Sequence, residues 1–157
     1  MPDSSVIAEG AQVPPVTLAR DGGGMVSLSD FPGQKIVLFT YGGDGTPTCT
    51  NEVMQFDALR ADFESAGAVV IGLSKDSVKS HDKFIIKQGI SLILASDHGG
   101  TMMKDWGAFG EKLFFGKLVQ GVLRSTFLMV DGRIAKIWKV DRVKGHAAEV
   151  LAAVQAL

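Results

Sequence analysis

Lys35-Ile36-Val37-Leu38-Phe39-Thr40-Tyr41, then Gly42-Gly43-Asp44-Gly45, then Thr46-Pro47-Thr48-Cys49 is the stretch on which the fold turns. The first seven residues are a near-continuous apolar run, the pattern of a strand buried on both faces. The glycine-rich segment is a turn. Thr46 is a good N-cap and Pro47 suits the first helical position, where its missing N–H costs nothing, so a helix is predicted to start there. Val53, Phe56, Leu59 and Phe63 fall at helical spacing and give it a buried face, and Gly67 ends it.

Outward from this unit the same alternation continues. Ala68–Leu73 reads as a second buried strand, 78–88 as a helix stopped by Gly89, and Ser91–Ala95 as a third strand. A short helix is predicted over Thr101–Trp106. Residues 107–123, with Gly107, Gly110, Gly116 and Gly121, read as loop. Ser125–Val130 and Ile134–Val140 flank Asp131-Gly132, a strong hairpin signal. A helix from about Gly145 closes the chain, with Val150, Leu151 and Val154 on one face. Upstream, Gly22-Gly23-Gly24 reads as the loop of a small N-terminal hairpin. Alternating strands and helices give a parallel sheet, and the last hairpin adds antiparallel strands. The expected fold is therefore α/β and thioredoxin-like: one domain over residues 1–157, a central mixed sheet, helices on both faces and an N-terminal hairpin.

The 157 residues are 46% hydrophobic, and 16 basic side chains nearly balance 17 acidic ones. That fits one globular domain and argues against disorder and against a nucleic-acid partner. The N-terminus, Met1 to Glu9, lacks the charged flank and apolar core of a secretory signal, and no stretch nears 18 apolar residues, so no membrane span is expected. One cysteine cannot form an internal disulfide, and a reducing, cytoplasmic location is the default.

Active sites in open α/β sheets lie beyond the carboxyl ends of the parallel strands. Cys49 lies just past such an end, in the first turn of a helix whose free N–H groups and dipole favour a thiolate. The dipole supplies only about 0.3–1 kcal/mol, less than one pKa unit, so a cation is needed as well. Arg124 is the best candidate: if its strand runs antiparallel to the first core strand, it reaches the same sheet edge. Thr46 places a hydroxyl near the sulfur, and Glu52, one turn on, is placed to orient the guanidinium. Each has a plainer reading. A lone cysteine is often a small buried hydrophobe, Thr46 an N-cap, Glu52 a helix-surface acid, and Arg124 a solvated edge residue.

Other constellations carry less. The glycine turn lacks the Lys-Ser/Thr ending of a phosphate loop, and there is no dinucleotide spacing. His81, His98 and His146 have no metal-ligand spacing with Cys49, and His81 and His146 read as structural or solvent-facing. Phe114-Phe115 reads as core or, preferably, as an apolar lip of the site. Trp106 and Trp138 read as core or hairpin packing.

The run Asp44-Gly45-Thr46-Pro47-Thr48-Cys49-Thr50-Asn51-Glu52 resembles the active-site loop of the peroxiredoxins, AhpC/TSA-like proteins, and most of all their Q-type or bacterioferritin-comigratory branch. Matching segments run in order along the chain: Val26–Phe31, Ala66–Ser74, Ser80–Phe84, Gly110–Lys112, Arg124–Phe127 and Gly145–Leu151.

The resemblance implies a thiol peroxidase that reduces hydrogen peroxide and alkyl hydroperoxides in antioxidant defence. Cys49 would attack the peroxide and become a sulfenic acid. Thr46 and Arg124 would hold the sulfur and the peroxide oxygens in line, and Glu52 would support Arg124. No metal or organic cofactor is implied. A monomer is favoured, with a homodimer possible.

Two departures matter. The family's loop usually has proline where this chain has Gly42, which predicts a more mobile pocket. Many relatives carry a resolving cysteine five residues after the first, here Met54, or in the helix over 78–88, which here has none. An external thiol is then required: thioredoxin, glutaredoxin with glutathione, or Cys49 of a second copy. The competing reading is a non-enzymatic redox-sensing or binding module with an oxidisable Cys49; a weaker one is a structural subunit with an inert Cys49.

Overall fold

The computed structural model describes residues 7–157; most of the N-terminal stretch read for a signal lies outside them. In chain order the elements are β1 (Thr17–Arg20), β2 (Met25–Ser27), β3 (Lys35–Thr40), α1 (Pro47–Ala58), α2 (Arg60–Ser65), β4 (Ala68–Ser74), α3 (Val78–Gln88), β5 (Ile93–Ser96), α4 (Thr101–Asp105), β6 (Phe109–Phe114), β7 (Lys117–Val122), β8 (Ser125–Val130), β9 (Arg133–Lys139) and α5 (His146–Gln155). Seven strands form one sheet in the order β2-β1-β5-β4-β3-β8-β9. The central β5-β4-β3 strands are parallel, β8 is antiparallel to β3, and β1 is antiparallel to β5. This is the mixed sheet of a thioredoxin-like fold.

The apolar run of β3 is buried because both faces of the sheet are covered. Val37, Phe39 and Tyr41 point to one face and meet Val53, Phe56, Phe63, Phe84 and Val150 from α1, α2, α3 and α5. Ile36 and Leu38 point to the other, against Met103 and Trp106 at α4 and Phe127 of β8. Phe39 stacks on Phe56 with ring centroids 4.3 Å apart, which fixes α1 over the carboxyl half of β3. Trp106 meets Phe127 edge-on at 5.2 Å, a core contact as expected. Trp138 lies on β9, buried, and its indole N–H donates to Glu149 on α5 at 3.1 Å.

Three departures from the sequence reading stand out, besides β5, which runs over Ile93–Ser96 and not Ser91–Ala95. The helix expected from Pro47 to Gly67 is broken at Leu59, whose ψ of 7° and N–H bond to Phe56 separate α1 from α2. No glycine or proline marks the break, and the apolar spacing runs through it. Strand β3 ends at Thr40, with Tyr41 just beyond it, and Arg124 likewise stands just before β8. The largest departure is residues 107–123, read as loop: β6 and β7 form a separate antiparallel hairpin closed by Phe115-Gly116. Both turn residues have positive φ, 52° and 79°, as a two-residue type I′ turn demands. Two features hide this hairpin in the sequence. Phenylalanine is an unusual residue at such a φ, and no position of either strand is buried, half of them being exposed, so no apolar alternation shows. The second hairpin, Asp131-Gly132 with φ of 51° and 78°, has the composition that a type I′ turn favours.

Candidate active site

Cys49 is the third residue of α1, within its first turn, and is 4% exposed. The β3–β8 register sets Thr40 opposite Ser125, so Arg124, immediately before β8, reaches the edge where β3 delivers the loop to α1. One guanidinium nitrogen lies 3.4 Å from the Cys49 sulfur, and another donates to Glu52 Oε1 at 2.5 Å. The rigid planar fork aims a separate N–H at each of them.

Thr46 occupies the N-cap position, but its hydroxyl caps no helix N–H. It donates instead to the Gly43 carbonyl at 3.1 Å and lies within hydrogen-bond reach of the sulfur. Its single proton can serve the carbonyl or a thiolate, so it can turn to the sulfur when charge forms there. Burial is the largest influence on the Cys49 thiol and pushes its pKa up. Hydrogen bonds from Thr46, Arg124 and the Gly43 N–H, with the Arg124 charge, outweigh it and hold the thiol below its usual value. Glu52 is 1% exposed, so it is no surface acid: burial pushes it up to about 7, against the downward pull of Arg124.

A second group of residues, which the sequence reading did not connect to the site, anchors the loop carrying Thr46 and Cys49. Asp44 accepts from the Tyr41 hydroxyl at 2.7 Å, from the Ser80 hydroxyl at 2.8 Å and from His81 Nδ1 at 2.8 Å. The other ring nitrogen of His81 faces the Ala95 carbonyl at 2.8 Å. Both nitrogens thus face acceptors, which favours the doubly protonated ring. Burial lowers the His81 pKa, but the hydrogen bond and charge of Asp44, the Ala95 carbonyl and the Asp76 charge outweigh it and raise it. Asp76 takes the Asp44 N–H at 2.8 Å. His81 and His146 are both buried, which removes the solvent-facing reading of each. His146 bonds Thr126 at 2.8 Å and packs on Phe56 and Trp138. The one signal that could have found the anchor is a polar pair, Ser80-His81, inside an otherwise amphipathic helix.

A cavity of about 530 Å³ adjoins the site, walled by Gly42, Arg124, Lys139, Lys112 and Leu113. The hairpin therefore does border the site, but through Lys112 and Leu113. Phe114 and Phe115 stand farther out at the exposed tip. Another cavity of similar size, lined by Pro14, Pro15, Phe31 and Met129, opens near the start of β3, away from Cys49.

A thioredoxin-like sheet that delivers a lone thiol to a helix start, beside an arginine, defines a cysteine-redox protein. The AhpC/TSA family profile matches residues 10–137, and the chain belongs to that family, as a peroxiredoxin of the Bcp or Q branch and thus a thiol peroxidase. It is 41% identical to peroxiredoxin Bcp of Xanthomonas campestris over 140 residues, 88% of each chain. Among solved structures it is similar to Xylella fastidiosa peroxiredoxin Q, with a TM-score of 0.90, 37% identity and 96% of each chain covered. It is also similar to the Xanthomonas campestris bacterioferritin comigratory protein, solved to study that protein's alkyl peroxide reduction, with a TM-score of 0.84, 40% identity and 90% of each chain covered. Among the described residues, no helix is long and apolar enough to cross a membrane.

Proposed function

We propose that Cys49 is the peroxidatic nucleophile and that Thr46, Arg124 and Glu52 complete its site. The thiolate attacks the terminal oxygen of a hydroperoxide. An S–O bond forms, the O–O bond breaks, and the leaving oxygen takes a proton to depart as water or an alcohol. Arg124 stabilises the sulfur before attack and the developing oxygen charge during it, and the Thr46 hydroxyl lines up the sulfur and oxygens. Glu52 fixes the guanidinium. The observation that carries this reading is the single guanidinium bridging Cys49 and Glu52. The substrates are hydrogen peroxide and alkyl hydroperoxides, and an external thiol completes the cycle, because the chain has no second cysteine. We take the enzyme to work as a cytoplasmic monomer.

Cys49→Ser abolishes peroxide consumption with any thiol donor, and retained consumption would sink the proposal. Arg124→Ala raises the thiol pKa and slows oxidation about 10²–10³-fold, as loss of one preorganised donor does elsewhere; an unchanged rate removes Arg124 from the mechanism. The missing second cysteine also supports a sensor reading. One stoichiometric oxidation that no thiol donor recycles would favour it.

A further inference from the structure

We propose that the cavity walled by Gly42, Lys112, Leu113, Leu123, Arg124 and Lys139 is the docking site of the resolving thiol, a small thiol carrying carboxylates, of the glutathione type. The inference rests on the peroxidase reading and adds the partner to it.

A sulfenic acid on Cys49 has to meet a thiol from outside, and the sulfur is nearly buried. The cavity supplies an approach. Two of its walls, Gly42 and Arg124, are the residues that flank the sulfur. Arg124 touches it at 3.4 Å, and a Cβ on Gly42 would sit 3.6 Å from it. Glycine therefore leaves that flank of the sulfur without a side chain over it. About 530 Å³ lies within the range of small-molecule sites and is too small to admit a folded protein.

The charge of the walls selects the visitor. Three cations face one carboxylate, Asp141, and Arg124 already pairs with Glu52. Lys112 donates to the Val122 carbonyl at 3.1 Å, and Lys139 to the Gly107 carbonyl at 2.8 Å and the Ser125 hydroxyl at 3.3 Å. Neither lysine has an ion-pair partner among the described residues, although each ammonium keeps a donor free. Desolvation lowers the Lys139 pKa, and an arriving carboxylate would offset that. Two carboxylates and one ammonium on a thiol match two free lysines and Asp141.

The chemistry balances with two such thiols. The first attacks the sulfenic sulfur: an S–S bond forms, the S–O bond breaks, and hydroxide leaves with the thiol's proton as water. The second attacks the outer sulfur of the mixed disulfide, releasing the oxidised disulfide and the Cys49 thiolate. A low-pKa thiol leaves readily, and Arg124 keeps Cys49 so.

The test pre-oxidises the protein with one equivalent of hydrogen peroxide. Mass spectrometry then follows mixed-disulfide formation with glutathione, 2-mercaptoethanol and cysteamine at matched thiolate concentration. Each rate is normalised to that of the neutral thiol, so that any general damage in a variant cancels. Glutathione should exceed cysteamine by on the order of tenfold, as charge pairs at a partly exposed site allow. The order should invert in the double variant Lys112→Glu, Lys139→Glu. Cysteamine equal to or faster than glutathione in the natural chain, an unchanged order in the variant, or turnover sustained only by thioredoxin would each overturn the proposal. Absence of any sulfenic acid would instead overturn the peroxidase reading. The cavity is then judged by reaction of the reduced protein with glutathione disulfide, which needs no peroxide: slowing in the double variant upholds the docking site, and no slowing rejects it.

Discussion

Glu52 has one carboxylate oxygen on Arg124 and another, Oε2, buried without a partner among the described residues. Its folded pKa, near 7, lies above the ordinary 4.5, so folding binds a proton that the unfolded chain releases. Its contribution to stability is therefore full below about pH 4.5 and falls as pH rises towards 7. Glu52→Gln should remove that slope, on the order of 3 kcal/mol across the window, as read by denaturant unfolding at a series of pH values. His81 has the same sign on a different group. Its raised pKa means that the stability it supplies is present below about pH 6.5 and is lost as pH rises through the folded value. For Asp44, whose pKa is lowered, the contribution is lost as pH falls through its folded value. His81→Ala leaves Asp44 buried without its cation and should cost about 3–5 kcal/mol at pH 6, with less difference from the natural chain at pH 9. Equal losses at both pH values would show that packing, not the ion pair, is what His81 provides.

At the scale of elements, the β6–β7 hairpin pairs with no other strand among the described residues, and its turn forces Phe115 to a φ of 52°. A free two-stranded hairpin is marginal, and an L-residue there costs about 1–2 kcal/mol. Phe115→Asn restores the Asn-Gly turn and should strengthen the hairpin by about 1 kcal/mol. Hydrogen exchange across Lys112–Val119 would slow; unchanged exchange would show that the tip does not limit its opening. Helix α1 was legible because cap position, proline and apolar spacing agreed. The hairpin was not, because its glycines point to loop and its pairing partner is set only by the turn. The break at Leu59 left no mark at all, since the helical apolar spacing of Phe56, Leu59 and Phe63 continues across it.

Over the whole molecule, the central strands are packed tightly enough that even a methyl group is felt. A Cβ on Gly72 in β4 would lie 2.9 Å from Leu94, 3.0 Å from Phe39 and 3.3 Å from Tyr41. Gly72→Ala should destabilise the protein by about 1–3 kcal/mol, measured by the thermal midpoint. Phe39 and Tyr41 lead directly into the loop of Cys49, so the same variant should also slow oxidation; an unchanged rate would separate core from site. Sequence by itself determined the order of elements, the thioredoxin-like arrangement and the lone thiol at a helix start, because apolar periodicity, capping and turn chemistry act over a few neighbouring residues. It also named Thr46, Glu52 and Arg124 as companions of Cys49. Only the tertiary structure decided that one guanidinium bridges Cys49 and Glu52 across 75 and 72 residues of chain, that His81 and Asp44 bolt the loop down, and that a cationic cavity opens beside the sulfur. Those contacts depend on strand register and burial, which bring together residues that no local pattern connects.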